Sequence, residues 1–300
     1  VNTLESNISR YLKVAILAGT TKEMYRHYLE LLAAWIQERH IIPESMNDEL
    51  FYDFLAEHPD WSDSTRHSAA CAFKSFYRYQ HGAFHPSQQV HIRRKEPGPQ
   101  RSLTAEQAGQ LLTSLDTTSA TGIRNLAIVT LMLDTGLRAA EVCRLEIDRV
   151  NLVTCHLDVV IKGGEWGEGI FSEYTASCLA GWLSARTIFA KPGVNTVFVG
   201  IKGTKPGYPL CGGGLRTVFR KMGARAGLGL ISPHDLRRSM ATLAIENGAP
   251  SRTVQKAGRW SNIEMVEHYT RTLDAKTFKK FFPVARILDT GSALTEATRP

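Results

Sequence analysis

Ser232-Pro233-His234-Asp235-Leu236-Arg237-Arg238, followed by Ala257-Gly258-Arg259-Trp260-Ser261-Asn262-Ile263 and then by His268-Tyr269, is the stretch around which this chain is organised. Ser232 suits an N-cap, Pro233 the first helical position, and Asp235 the third position of a capping box. That reading puts His234 and Arg237 on the first turn of a helix, three residues apart and on one face. The N–H groups and positive dipole end of such a turn favour a phosphate. Trp260 follows after a further helix, and Tyr269 comes nine residues beyond it. Taken singly, each residue has an ordinary explanation: a solvated helix face, an ion pair, a core aromatic. Taken together with Arg138, in Thr135-Gly136-Leu137-Arg138-Ala139-Ala140-Glu141, they form a set able to handle a phosphodiester without a metal.

The 300 residues are enough for two domains, and 43% apolar with 22% charged residues is the composition of a globular chain. No apolar run approaches the ~20 residues that span a bilayer. Val14-Ala15-Ile16-Leu17-Ala18 is short and lies inside an amphipathic pattern, so no signal peptide is expected. Five cysteines (Cys71, Cys143, Cys155, Cys178, Cys211) are scattered and never in Cys-x-x-Cys spacing. That argues against a disulfide framework or zinc site and predicts a reducing, cytoplasmic setting. His81, His85 and His91 sit among Gly, Pro, Ser and Gln and read as surface-loop histidines. Gly212-Gly213-Gly214 reads as a helix-entry loop, because no Gly-Lys-Ser/Thr follows. No Walker motif or metal-ligand cluster is evident, so neither cofactor nor metal is expected. Of 36 Lys+Arg and 29 Asp+Glu, residues 1–100 hold 11 and 12, leaving 25 and 17 for the remainder. A basic domain beside a neutral one is compatible with a polyanionic partner.

The organisation predicted along the chain is a helical domain over 1–85, a basic linker over 86–102, a larger domain over 103–288 and a polar tail over 289–300. Leu4, Ile8, Leu12 and Ile16 predict a first helix ending at Gly19, with Thr20 or Thr21 capping a second. Asn47 is expected to cap a third helix, and a fourth should run from Ser62–Ser64 to about Gln80. Acidic residues cluster between Glu44 and Asp63, whereas Arg66, Lys74 and Arg78 dominate the fourth helix. The two sets are expected on opposite faces. Thr104-x-x-Gln107 predicts a capping box, and Leu126 to Leu133 a buried helix stopping at Gly136. Arg138 follows that stop, with Glu141 placed to orient it. Between 151 and 171 the pattern alternates and turns at Gly163-Gly164, predicting a small antiparallel sheet with Lys162 beside its turn.

These motifs resemble the tyrosine recombinases, the family of phage integrases and the Xer and Cre recombinases. The family pattern is an Arg in Thr-Gly-Leu-Arg-x-x-Glu, a β-turn Lys, a His-x-x-Arg pair, a His or Trp, and a Tyr nine residues later. Arg138, Lys162, His234, Arg237, Trp260 and Tyr269 fill those positions. The likeness runs from about residue 4 to 283. It implies a mainly α fold with a small antiparallel sheet in the C-terminal domain, arranged as a two-domain clamp with a helical core-binding domain and a catalytic domain.

The resemblance further implies a site-specific recombinase that integrates, excises or resolves a DNA element through a 3′-phosphotyrosine on Tyr269. His234 would handle the phenolic proton, Arg138 and Arg237 would grip the non-bridging oxygens, and Lys162 would protonate the leaving 5′-oxygen. Trp260 would donate its indole N–H without shuttling a proton. The segment after Lys162 lacks the second basic residue many members carry, which keeps Lys202 and Lys205 as fallback candidates. Arg66, Lys74, Arg78, Arg93, Arg94 and Lys95 would lie along DNA. The implied partners are double-stranded DNA with inverted-repeat core sites, a homotetramer on two such sites and accessory DNA-bending proteins, with no membrane. The tail after Tyr269, bearing Phe278, Phe281, Phe282 and Val284, would form a helix that packs on its own domain or docks on a neighbouring subunit. Two alternatives remain open: strand relaxation of the type IB topoisomerase kind, and a non-catalytic DNA-binding protein on the same scaffold.

Overall fold

The computed structural model describes residues 3–93, 100–161 and 163–270, with backbone alone for Thr3 and residues 268–270. Arg94, Lys95, Lys162, the expected tail helix and the polar terminus therefore lie outside the described residues. Contacts divide the chain into two compact units, Val1–Gly98 and Pro99–Pro300.

The first unit is helical throughout its described residues. It comprises α1 (Thr3–Val14), α2 (Gly19–Glu38), a 3₁₀ turn (Pro43–Ser45), α3 (Asp48–Ala56), α4 (Asp63–His81) and a 3₁₀ turn at Pro86–Gln89. Apolar residues at helical spacing give each helix a buried stripe. Leu29, Phe51 and Phe73 are fully buried, Phe51 stacks on Phe73, and Phe54 meets Phe73 edge-on. Asn47 Oδ1 accepts from Leu50 N–H, as expected of its cap, and Ser62 Oγ accepts from Thr65 N–H, so the fourth helix starts within the expected Ser62–Ser64 span.

Several expectations change here. α1 stops at Val14, so Ile16 leaves the Leu4–Ile8–Leu12 face and is fully exposed. Extended Ala18 is the N-cap of α2, and Gly19 is its first residue where a helix stop was expected. The stretch from Pro86 folds back on α4 instead of starting a linker. Lys74 Nζ donates to Val90 O at 2.7 Å and Gln88 Nε2 to Lys74 O at 2.8 Å, burying Ser87 and Val90. Its polar side chains serve turn hydrogen bonds, which composition does not distinguish from linker polarity. His85 is buried rather than a surface histidine, because Tyr77 and His81 stack on its ring at 4.7 and 5.0 Å.

The second unit contains α5 (Ala105–Thr113), α6 (Ala120–Thr135), α7 (Ala139–Arg144), β1 (Val150–Asn151), β2 (His156–Val160) and β3 (Trp166–Ile170). Then come α8 (Glu173–Arg186), α9 (Gly212–Arg225), α10 (Pro233–Glu246), α11 (Ser251–Ala257) and α12 (Glu264–Thr270). The sheet is antiparallel in the order β1-β2-β3, with Leu157 opposite Gly169 and Val159 opposite Gly167. Leu157 and Val159 face the core and Val160 does not, as strand alternation requires. Helix α6 is buried from Ala127 to Met132 and packs against α8 and α10. It ends at Gly136, whose left-handed backbone (φ 60°) supplies the stop. A Cβ at Gly136 would also meet Met240 Cε at 2.4 Å. Gly212-Gly213-Gly214 forms the first turn of α9 and not its entry loop, because Cys211 caps it: Gly214 N–H donates to Cys211 Sγ at 3.3 Å. Arg101, expected in the linker, donates to the carbonyls of Leu228 and Leu230 and so belongs to this unit.

Candidate active site

Helix α10 starts with the expected capping box. Asp235 N–H donates to Ser232 Oγ at 3.3 Å, and Ser232 N–H to Asp235 Oδ2 at 2.8 Å. Its first turn carries His234 outward and Arg237 inward. Arg237 is only 1% exposed. Its Nη1 donates to Gly136 O, at the end of α6, and its Nη2 to Gly258 O, at the end of α11, at 2.6 Å. A buried guanidinium is tolerated there because helix C-termini present partly negative, otherwise unpaired carbonyls. Its Cζ lies 4.4 Å from the centroid of the Trp260 ring, a cation–π contact. Trp260 packs in a small cluster with Met240, Ala241, Val254 and Val266. Gly258 makes that possible, since a Cβ there would fall 1.9 Å from the indole.

Arg138 is the N-cap of α7, just past the Gly136 stop. Glu141, buried one turn on, accepts from its backbone N–H and from Nη1, both at 2.8 Å. Nη2 of Arg138 donates to the carbonyl of Arg259 at 3.4 Å. Arg138 and Arg237 thus converge on one loop, Gly258–Trp260, although 99 residues separate them in the chain. His234 joins this field. Partial desolvation, then Arg238, Arg237 and Arg138, hold its pKa below the usual imidazole value, while Asp235 opposes them.

Arg259, which motif spacing leaves without a role, also belongs to this cluster. Its side chain is 6% exposed, lies 3.7 Å from Glu141, and donates to Thr135 O, Ala257 O and Glu168 O. Burial lowers its pKa and Arg138 adds to that, with Glu141 opposing. The available signal was an arginine directly after a helix-ending Gly, where a glycine would be the ordinary choice.

Tyr269 lies on α12, one helix beyond Trp260, and its side chain is outside the described residues, as is all of Lys162. The fallback lysines Lys202 and Lys205 are exposed in the turn closed by the Val199–Pro209 bridge. In the first unit Arg78 and Arg93 are exposed, whereas Lys74 is held by Val90 O and Arg66 Nη2 donates to His58 O at 3.3 Å. Arg66 therefore folds toward the acid-rich segment instead of lying opposite it. Among the described residues no three His, Cys, Asp or Glu side chains gather as a metal site, and no helix is long and apolar enough to cross a membrane.

A profile of the phage integrase family matches residues 101–276. Over 302 residues the chain is 28% identical to tyrosine recombinase XerD of Staphylococcus haemolyticus (strain JCSC1435), covering 94% of this chain and 100% of that one. Over 186 residues it is 32% identical to tyrosine recombinase XerC of Actinobacillus pleuropneumoniae serotype 7 (strain AP76), covering 62% and 58%. Its fold is similar to that of the XerH site-specific recombinase bound to palindromic difH substrate, with a TM-score of 0.72, 18% identity, and 92% of this chain and 83% of that one covered. It is equally similar to the Tn1549 transposon integrase in complex with transposon right end DNA, with a TM-score of 0.72, 15% identity and coverage of 92% and 97%. With that match across more than half its length, the chain belongs to the phage integrase family, as a tyrosine-type site-specific recombinase.

Proposed function

We propose that the Arg138–His234–Arg237–Trp260 cluster cleaves and rejoins DNA through a 3′-phosphotyrosyl intermediate on Tyr269. The observation carrying this reading is the charge of the cluster. Among the described residues, four guanidiniums (Arg138, Arg237, Arg238, Arg259) gather beside the carboxylates Glu141 and Asp235. Fixed guanidinium charge gathered in a partly desolvated site suits a phosphodiester whose negative charge grows in the transition state.

In this reading Tyr269 Oη attacks the phosphorus and the bond to the 5′-oxygen breaks. The phenol has an ordinary pKa of ~10, so its proton leaves during attack, and His234 is the group to receive it. Partial desolvation and then Arg238, Arg237 and Arg138 lower the pKa of His234, which favours the neutral imidazole that can accept this proton. Arg138, with its guanidinium fixed by Glu141, and Arg237, anchored by the carbonyls of Gly136 and Gly258, grip the non-bridging oxygens. Lys162 protonates the departing 5′-oxygen. The tyrosyl phosphodiester keeps the energy of the broken bond, so a 5′-hydroxyl from a second strand reverses the step without ATP. Duplex DNA with inverted-repeat core sites, a homotetramer on two such sites, and accessory bending proteins complete the reading. DNA as the partner is supported by the DNA-bound state of the similar XerH and Tn1549 integrase structures.

The test is covalent trapping. Nicked suicide duplexes with randomised arms are incubated with the protein in EDTA and resolved on a denaturing gel. A captured protein–DNA band that Tyr269→Phe abolishes is expected. Tight binding of a selected duplex without a covalent band would sink the catalytic reading in favour of a binding protein. Cleavage and resealing without exchange between two captured sites would favour strand relaxation.

A further inference from the structure

The backbone that carries Trp260 is strained at one residue. Helix α11 ends in a paired lock: Trp260 N–H donates to Gln255 O at 3.1 Å and Arg259 N–H to Lys256 O at 3.0 Å. The residue after the C-cap Gly258 must then be left-handed, a role glycine fills without steric penalty. Arg259 fills it here, with φ 54°. A non-glycine residue persists in that conformation when its surroundings over-determine it.

The surroundings of Arg259 do so. Nη1 donates to Ala257 O at 2.9 Å and to Glu168 O at 2.8 Å, while Nη2 donates to Thr135 O at 3.0 Å. One planar fork thus joins the end of α11, strand β3 and the end of α6, and it lies beside Glu141, which holds Arg138. Strand β3 is shaped to admit it, since a Cβ at Gly167 would come within 2.8 Å of Arg259 Cδ. The carbonyl of the same residue accepts from Arg138 Nη2. Arg259 therefore touches the Arg138–Glu141 pair from two sides and fixes the turn from which Trp260 projects.

We propose that Arg259 is a positioning residue for strand cleavage, setting Arg138 and Trp260 relative to each other. This rests on the reading of the cluster as the cleavage site. A lysine cannot replace it fully, because an ammonium has no planar fork to span three carbonyls on different elements.

The experiment uses the full chain and the suicide duplex that wild-type protein captures covalently from the randomised pool. Single-turnover cleavage at saturating duplex, duplex affinity and melting temperature are measured for wild type and for Arg259→Gly, Arg259→Ala and Arg259→Lys. Arg259→Gly keeps the left-handed turn unstrained, so it should melt above Arg259→Ala. It should bind the duplex within about threefold of wild type yet cleave about 100-fold more slowly, the scale of an ångström-level misplacement. Arg259→Lys should fall between wild type and Arg259→Gly. Cleavage by Arg259→Gly within about threefold of wild type would show that the arginine only fills space, and would overturn the inference. Should Arg259→Gly fail to fold, a wild-type rate in Arg259→Lys would overturn it equally. Failure of wild type to capture any duplex would remove the cleavage reading itself, a result visible before any substitution is made.

Discussion

Glu141 grips Arg138 at both ends of the residue, taking the backbone N–H on Oε2 and the guanidinium on Oε1, each at 2.8 Å. The backbone bond is the reach-back half of a capping box, and it fixes where α7 begins. The side-chain bond fixes where the charge of Arg138 points. Helix start and charge placement therefore depend on one buried carboxylate. Glu141→Gln keeps the size and one acceptor but removes the charge. Arg138 is more than a third exposed, so solvent screens the pair, and the expected loss of stability is about 1–2 kcal/mol. Cleavage should fall about tenfold, while Glu141→Asp, one methylene shorter, loses at least one of the two bonds. Thermal unfolding and single-turnover cleavage read the two effects separately. A normal cleavage rate in Glu141→Gln would mean that Arg138 is oriented by something else.

Gly258 offers a test of the Arg237–Trp260 contact that leaves both residues in place. Its φ of −82° is acceptable to any residue, so Gly258→Ala introduces no backbone strain. The new methyl would collide with three indole carbons at 1.9–2.4 Å and must push the ring off Arg237. Overpacking of this kind destabilises by about 1–3 kcal/mol. A lower melting temperature with strongly reduced cleavage is expected. A fully active Gly258→Ala would show that the indole need not sit over the Arg237 guanidinium.

The candidate DNA-facing cations of the first unit separate into two kinds. Lys74 donates to Val90 O, so Lys74→Met should remove a structural hydrogen bond worth about 1 kcal/mol and leave the salt dependence of duplex binding unchanged. Arg78 is exposed. Arg78→Ala should reduce the slope of log affinity against log salt by about one, the signature of one lost phosphate contact. Titrations at several salt concentrations distinguish the two. A slope change in Lys74→Met would show that Lys74 exchanges Val90 for a phosphate.

The sequence made the helix starts legible where a side chain caps its own helix, as at Asn47, Ser62, Thr104 and Ser232, because that information is local. It misled where local composition serves a distant contact. The polar run after Pro86 resembled a linker, yet its Gln88 and Val90 pair with Lys74 across a turn. Within the site, the motif spacing picked out Arg138 and Arg237, but not what holds them. Their shared platform consists of carbonyls of residues 136, 258 and 259, which leave no trace in side-chain identity. Arg259 went unassigned for the same reason: its partners Thr135, Ala257 and Glu168 are recognised through backbone oxygen, so no residue type at those positions announces it.

The pH dependence of cleavage should report the guanidinium field around His234. Desolvation, Arg238, Arg237 and Arg138 lower its pKa, so in free protein the imidazole stays neutral to a lower pH than an ordinary histidine at ~6.5. The acid limb of kcat/KM, which reflects free enzyme, is expected below that value. A bound phosphodiester brings negative charge that offsets the three arginines, so the limb of kcat should move to higher pH than that of kcat/KM. Folding follows the same sign. A histidine whose folded pKa is depressed contributes stability above its unfolded pKa, and that contribution is lost as pH falls through the unfolded value toward the folded one. Cleavage of the captured duplex from about pH 5 to 8, at limiting and saturating DNA, measures both limbs. His234→Gln should flatten them. Coincident limbs in wild type would show that the scissile phosphate does not enter the field His234 senses.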